Sequence, residues 1–473
     1  MNKFTQCRAL HQYYRDLFTR HIYLPEADVM PSHLVAEILH FWNSDLSAME
    51  PAIMAAQVSV DEESALAIKH MLCAATLANQ AFDFKKLTNE TVAAEGYGEQ
   101  VTAHIVEALQ RNDSVDFVVA AIQLLFRVNE IESAVFLISN HLSRLSNSAP
   151  VLKILLLICL MEEDYNQAQV IIQLLTSDSA LIGEDPMTLL MIVCGIAQLG
   201  GCPDTFIDFR PLHEAEPLPD YTRYEWRIPK AATGNTTVMV ACDTKYFFEH
   251  AQALVASVYE TNGTELDVHV HIYNCDERSE SRVREMQTLF PGLNLSLSSE
   301  AIPPSRGMNV HYASRRFVFL RHALEQFNAP VLLLDADCLV RQSWPQFHST
   351  LGNADLILTR SEGAPLWERV LGAFVYARPI ESNFRYLDIV ARFIDRNLAA
   401  NHSEWFLDQV ALSFALDTLP AAEQMKVCRE DGLRLVSINH TADAFSWMVT
   451  TVKNRSGAFK DYKTSLMAKY FAA

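Results

Sequence analysis

The period of the apolar residues changes midway along this 473-residue chain, and one layered core cannot serve both patterns. From about residue 30 to 200 the apolar residues recur at helical spacing, as in VDFVVAAIQLLFRV and VLKILLLICLMEE, with few prolines inside the runs. After Thr237 the style is different: VMVAC (238–242), DVHVHIY (267–273), VLLL (331–334) and DLILT (355–359) read as strands, several of them separated by helical segments. Strands alternating with helices predict an α/β unit with a mainly parallel sheet, whose ligands bind beyond the carboxyl ends of the strands. Between Gly200 and Thr237 the pattern collapses, with five prolines and no sustained period. The reading is therefore an all-helical domain over 1–205, a Pro-rich linker over 206–235 and an α/β domain over 236–473. The linker's aromatic residues predict that it packs against a neighbour.

The helical half contains an internal echo. Ile131-Glu132-Ser133-Ala134 follows one helix and begins another, and Tyr165-Asn166-Gln167-Ala168 does the same 34 residues later. An aromatic or aliphatic residue three before a small alanine, at that offset, resembles tetratricopeptide repeats, with two or three units between about 115 and 200. The helices upstream do not hold the register, and an ordinary helical bundle is the alternative.

The 57 acidic residues against 38 basic ones give a formal charge of −19, which disfavours nucleic acid as a partner. A phosphate ligand then needs local positive charge, from a metal ion or a helix N-terminus. Nine scattered cysteines, odd in number and never spaced C-x-x-C, read as reduced core residues of a cytoplasmic protein. The N-terminus lacks an apolar signal-peptide core. The longest apolar run, Val151 to Met161, is about half of the ~20 residues a membrane span needs, so no membrane span is expected.

The sharpest chemical signal is VLLLDADCLV, an apolar strand running into Asp335 and Asp337. Side chains two apart point the same way in an extended chain, so both carboxylates are placed to face one hard cation, Mn²⁺ or Mg²⁺, which in turn bridges diphosphate oxygens. A strand that simply ends in a polar turn is the plain alternative.

Around this motif lies an ordered set of features that resembles the retaining glycosyltransferases of the glycogenin and bacterial lipooligosaccharide galactosyltransferase family. Ala241-Cys242-Asp243-Thr244-Lys245-Tyr246 is similar to that family's first-strand D-x-x-Y, and the following helix holds Ser257. YASRRF (Tyr312 to Phe317) is similar to its Y-x-R stretch, and Asp408-Gln409 to the D-Q of its acceptor-side helix. The likeness spans about residues 236 to 460 and implies the GT-A nucleotide-diphospho-sugar transferase fold. Carried over, it implies that Asp243 and Tyr246 contact the nucleoside and that Arg316 or its neighbour Arg315 meets the diphosphate or donor sugar. The Asp335-Ala336-Asp337 segment would meet the metal and ribose. Asp408 and Gln409 fall beside the donor sugar, with no nucleophile assigned. From the late part of the chain, His440 is the candidate third metal ligand and Lys453 the candidate cation that assists departure of the diphosphate.

This sequence departs from the family pattern at two places. Leu371-Gly372-Ala373-Phe374-Val375 lacks the asparagine of the usual N-x-G-V, and the H-x-x-G-x-x-K-P-W string is absent. The function implied is metal-dependent transfer of a sugar, with retention, from a nucleotide-sugar, UDP-linked, to a protein or glycan acceptor that the helical domain recognises. Two rivals stay open: a repeat scaffold whose degenerate transferase domain binds nucleotide-sugar or a partner protein without turnover, and a nucleotidyltransferase, which the glycine-free ACDTKYFFEH disfavours.

Overall fold

The computed structural model describes residues 29–39, 46–88, 96–128, 130–145, 148–182, 185–214, 217–305, 307–360, 364–449 and 457–471. The chain forms two compact units, Met1–Gly183 and Glu184–Ala473.

The first unit is helical throughout its described residues. Helices Val115–Arg127 and Ile131–Leu145 pack as one pair, Ala149–Met161 and Tyr165–Ser177 as a second, and corresponding helices begin 34 residues apart. Ala134 and Ala168, the small residues of the echo, are both fully buried, which lets paired helices approach closely. Asp164 caps the last of these helices by accepting from the Gln167 amide at 3.2 Å. Upstream, the 27-residue helix Glu62–Thr88 packs against Leu46–Ala55 and Tyr97–Arg111.

The second unit is built on an eight-stranded mixed sheet in the order β1-β4-β3-β2-β5-β8-β7-β9. Its strands are β1 (Tyr224–Ile228), β2 (Thr237–Asp243), β3 (Asp267–Tyr273), β4 (Leu295–Glu300), β5 (Val331–Leu334), β7 (Leu356–Arg360), β8 (Phe374–Ala377) and β9 (Cys428–Asp431). β4, β3, β2 and β5 run parallel, whereas β8 is antiparallel to both β5 and β7. Period-2 alternation sends β2 residues to two faces. Val238, Val240 and Cys242 join a core with helix Gln252–Asn262, while Ala241 packs with Tyr273, Met308 and Tyr312. Helix Met308–Phe327 lies on β2 and β5 and packs against helices Glu381–Ala399 and Leu407–Thr418. A small second sheet, β10 (Val436–Ser437), β11 (Ser446–Met448) and β6 (Cys338–Val340), places Met448 opposite Cys338.

The stretch 206–235, expected as a linker, is part of this unit. Tyr224–Ile228 pairs antiparallel with β4, Arg223 bonds Asp395 at 2.7 Å, and Asp208 and Asn397 exchange two hydrogen bonds. Its prolines fall outside β1, so they leave the strand's ladder intact, and its aromatic residues pack as expected: Tyr224 is buried edge-on to Phe319. Helix Pro186–Gln198, read from the sequence with the first half, falls in the second unit. No helix among the described residues is long and apolar enough to cross a membrane.

Candidate active site

β2 and β5 are parallel neighbours, so their carboxyl ends open on the same side of the sheet, and a cavity of about 560 Å³ lies there. Asp243 lines it from the end of β2, Lys245 and Tyr246 from the helical turn that follows, Asp335, Ala336 and Asp337 from beyond β5, and Tyr312 and Arg316 from helix Met308–Phe327. Trp405, Phe406, Asp408 and Gln409 line it from the start of helix Leu407–Thr418.

Asp335 and Asp337 do not sit on an extended strand. The chain turns between β5 and β6, with the Asp335 amide donating to the Ala373 carbonyl at 3.2 Å and the Cys338 amide to the Asp335 carbonyl at 3.0 Å. The turn nevertheless brings both carboxylates to one cavity, while Ala336 between them is buried. Burial pushes the Asp337 carboxyl above its ordinary range, and the charges of Arg316 and Lys463 partly oppose that.

Arg316 connects the two sides. Its guanidinium pairs with the Asp335 carboxylate and lies 3.3 Å from Asp408 Oδ2. Asp408 is raised by burial, with Arg316 pulling the other way. Gly372 makes room for the pair: a Cβ there would stand 2.9 Å from both Arg316 Nη2 and Asp408 Oδ2. Phe406 turns the chain into the helix with φ of 75°, a left-handed conformation rarely adopted by a bulky residue. Strain of this kind collects at functional sites.

On the β2 side, Asp243 caps the following turn by accepting from the Tyr246 amide at 2.7 Å. The Tyr246 ring leans on His250, whose Nδ1 lies 3.0 Å from Lys463 Nζ of the C-terminal helix Ala458–Phe471. Lys463 is half-buried and its ammonium is pushed below the ordinary lysine value by burial, with Asp337 countering. Ser257 works from behind, accepting from the Val340 amide at 2.9 Å and so pinning β6.

The site thus gathers Asp243, Tyr246, Arg316, Asp335, Ala336, Asp337, Asp408 and Gln409. Arg315 is not among them: it pairs with buried Glu300 at 2.6 Å, because successive helical residues diverge by about 100° and only one of the two arginines can face the cavity. His440 does not line the cavity either. Its Nε2 meets the Met448 carbonyl at 3.1 Å and its ring stacks on Phe459, so it stands behind Met448. Lys453 lies outside the described residues. The sequence reading missed Trp405, more than half exposed on the rim, and Lys463. Trp405 stands three residues before Asp408, a signal that could have found it, whereas Lys463 had none, since its approach depends on how the last helix docks.

No family model and no curated protein matches the chain. Among solved structures it is similar to the glycosyltransferase GlyE of Streptococcus pneumoniae, at 12% identity and a TM-score of 0.34, over 50% of this chain and 63% of that one. It is also similar to the galactosyltransferase LgtC, solved with donor and acceptor sugar analogues, at 16% identity and 0.34, over 50% and 97% of the two chains. Mouse xyloside xylosyltransferase 1 is similar at 9% identity and 0.29, over 46% and 98%. Likenesses this distant fix neither activity nor substrate.

Proposed function

We propose that the second unit is a GT-A-fold glycosyltransferase that uses a divalent cation to transfer a sugar, with retention, from a UDP-linked donor to a protein or glycan acceptor in the cytoplasm. The observation that carries this reading is the convergence of Asp335, Asp337, Arg316 and Asp408 with Asp243 and Tyr246 on one cavity at the carboxyl ends of β2 and β5. Asp335 and Asp337 offer hard oxygen donors, and Gln409 Oε1, buried and with no hydrogen-bond partner among the described residues, adds another on a residue of the same cavity. That donor set suits Mn²⁺ or Mg²⁺. Such a cation, when bound, supplies charge neutralisation for the departing nucleoside diphosphate.

The chain's own residues do the rest. Arg316 holds Asp335 and Asp408 in place before the donor arrives and presents a guanidinium fork suited to phosphate or sugar oxygens. Lys463 contributes fixed positive charge near Asp337 in a protein that is strongly acidic overall. Trp405 offers an exposed aromatic face on the rim, where a sugar ring can stack. In the helical unit, Phe136 and Val170 occupy positions 34 residues apart and are both exposed, which supports repeated presentation of apolar side chains to an acceptor.

One observation favours a second reading, a domain that binds nucleotide-sugar without turnover: Asp335 is already engaged by Arg316. Incubating the protein with Mn²⁺ and a panel of nucleotide sugars separates the two. Catalysis predicts nucleoside diphosphate release from at least one donor, and binding without release supports the scaffold.

A further inference from the structure

We propose that the helical unit carries a second metal site, for Zn²⁺ or a similar borderline-soft cation, formed by Glu50, Cys73 and His104 with His70 beside them. Ligand atoms of Glu50, Cys73 and His104 all lie within 4.8 Å of one another. They come from three helices, Leu46–Ala55, Glu62–Thr88 and Tyr97–Arg111, so the cluster owes nothing to local sequence spacing. His70 precedes Cys73 by three residues on the same helix face, and its Nδ1 stands 3.1 Å from Nδ1 of His104. Two imidazoles that meet through the same nitrogen share one proton at most when neutral, and burial holds both below the ordinary histidine pKa. At least one unprotonated ring nitrogen therefore faces its neighbour.

The chemistry selects the cation. A thiol, imidazole nitrogen and a carboxylate are the ligand types of tetrahedral zinc, whereas the oxygen-only set of the cavity suits Mn²⁺ or Mg²⁺. Bonds of about 2.0–2.3 Å place tetrahedral ligands roughly 3.5 Å apart, so about 1 Å of side-chain movement closes the cluster. The charges also balance, because a Glu50 carboxylate and a Cys73 thiolate together neutralise a dication. Cys73 is fully buried and burial pushes its thiol up to about 12, so metal binding displaces the thiol proton to solvent. Arg111, the cation that faces His70, is engaged by Glu107 at 2.6 Å and Glu63 at 3.5 Å, which leaves Glu50 to the cluster. A bound ion would fasten three helices that are otherwise joined by apolar packing, the Arg111–Glu63 pair and a hydrogen bond from Lys69 Nζ to the Met54 carbonyl at 2.8 Å.

The test uses the full chain carrying Asp335→Asn and Asp337→Asn, so that the cavity pair does not contribute. The protein is stripped with chelator and titrated with Co²⁺ while the near-ultraviolet and visible spectra are recorded. One equivalent is expected to produce a thiolate-to-cobalt charge-transfer band with tetrahedral d–d bands, reversed by one equivalent of Zn²⁺. Cys73→Ser should abolish the charge-transfer band, and His104→Ala should weaken binding by about 100-fold. Absence of that band in the Cys73-containing protein overturns the site whatever the variants do, and so does a band that survives Cys73→Ser.

Discussion

Asp337 is the more vulnerable of the two motif carboxylates to loss of function, because Asp335 already has Arg316 as an ion-pair partner, whereas Arg316 and Lys463 act on Asp337 through their charge. Asp337→Asn keeps the size of the side chain in a turn held by backbone bonds, so activity should fall by about two orders of magnitude while the thermal midpoint barely moves. Gly372→Ala tests the packing beside it. A methyl group 2.9 Å from both partners of the Arg316–Asp408 pair must displace one, and we expect about 1–3 kcal/mol of destabilisation together with a drop in turnover. The pH profile has a defined sign. Asp337 and Asp408 are both raised, so activity should decline on acidification at a pH above the ordinary Asp value of 3.8. Lys463→Met removes a charge that lowers Asp337, and should shift that acid limb further upward and weaken UDP binding more than uridine binding; an unmoved limb would detach Lys463 from the site. Of these residues, the aspartates and Arg316 were legible from motif and order. Gly372 was seen only as part of a string that lacked its asparagine, since the need for a missing side chain appears only when two others occupy its space.

At the scale of elements, the strands were readable from their patterns, apolar residues alternating with polar ones in DVHVHIY and an apolar run in VLLL, and the two coincide with β3 and β5. β10 and β11, two and three residues long, carry no period to read. His269 and His271 share one face of β3 and are buried there, their rings hydrogen-bonded to Ser296 and Ser298 and lying on Phe319. β1 was missed for a different reason: prolines flank it, and its partner β4 lies 70 residues away in sequence. β1 covers one edge of β4, and Arg223 just before it stands 3.5 Å from the buried Glu300 carboxylate. A fragment starting at residue 184 should therefore be soluble and unfold cooperatively, whereas one starting at 236 should expose the β4 edge and aggregate. Equal solubility of the two fragments would mean that β1 adds nothing to the sheet.

For the whole molecule, the 34-residue echo and the donor-side motifs lie in separate units, which is why the period change in the sequence located two activities to seek. If the helical unit selects the acceptor, the fragment starting at residue 184 should hydrolyse donor at the rate of the full chain and lose transfer to the acceptor. The central claim, that the cavity at the ends of β2 and β5 performs metal-dependent sugar transfer, is tested most directly by nucleoside diphosphate release from a UDP-sugar panel. The assay compares the parent protein in Mn²⁺, the parent in excess chelator, and the Asp335→Asn, Asp337→Asn double variant in Mn²⁺. The account predicts release in the first alone; release undiminished in chelator or in the double variant would contradict it.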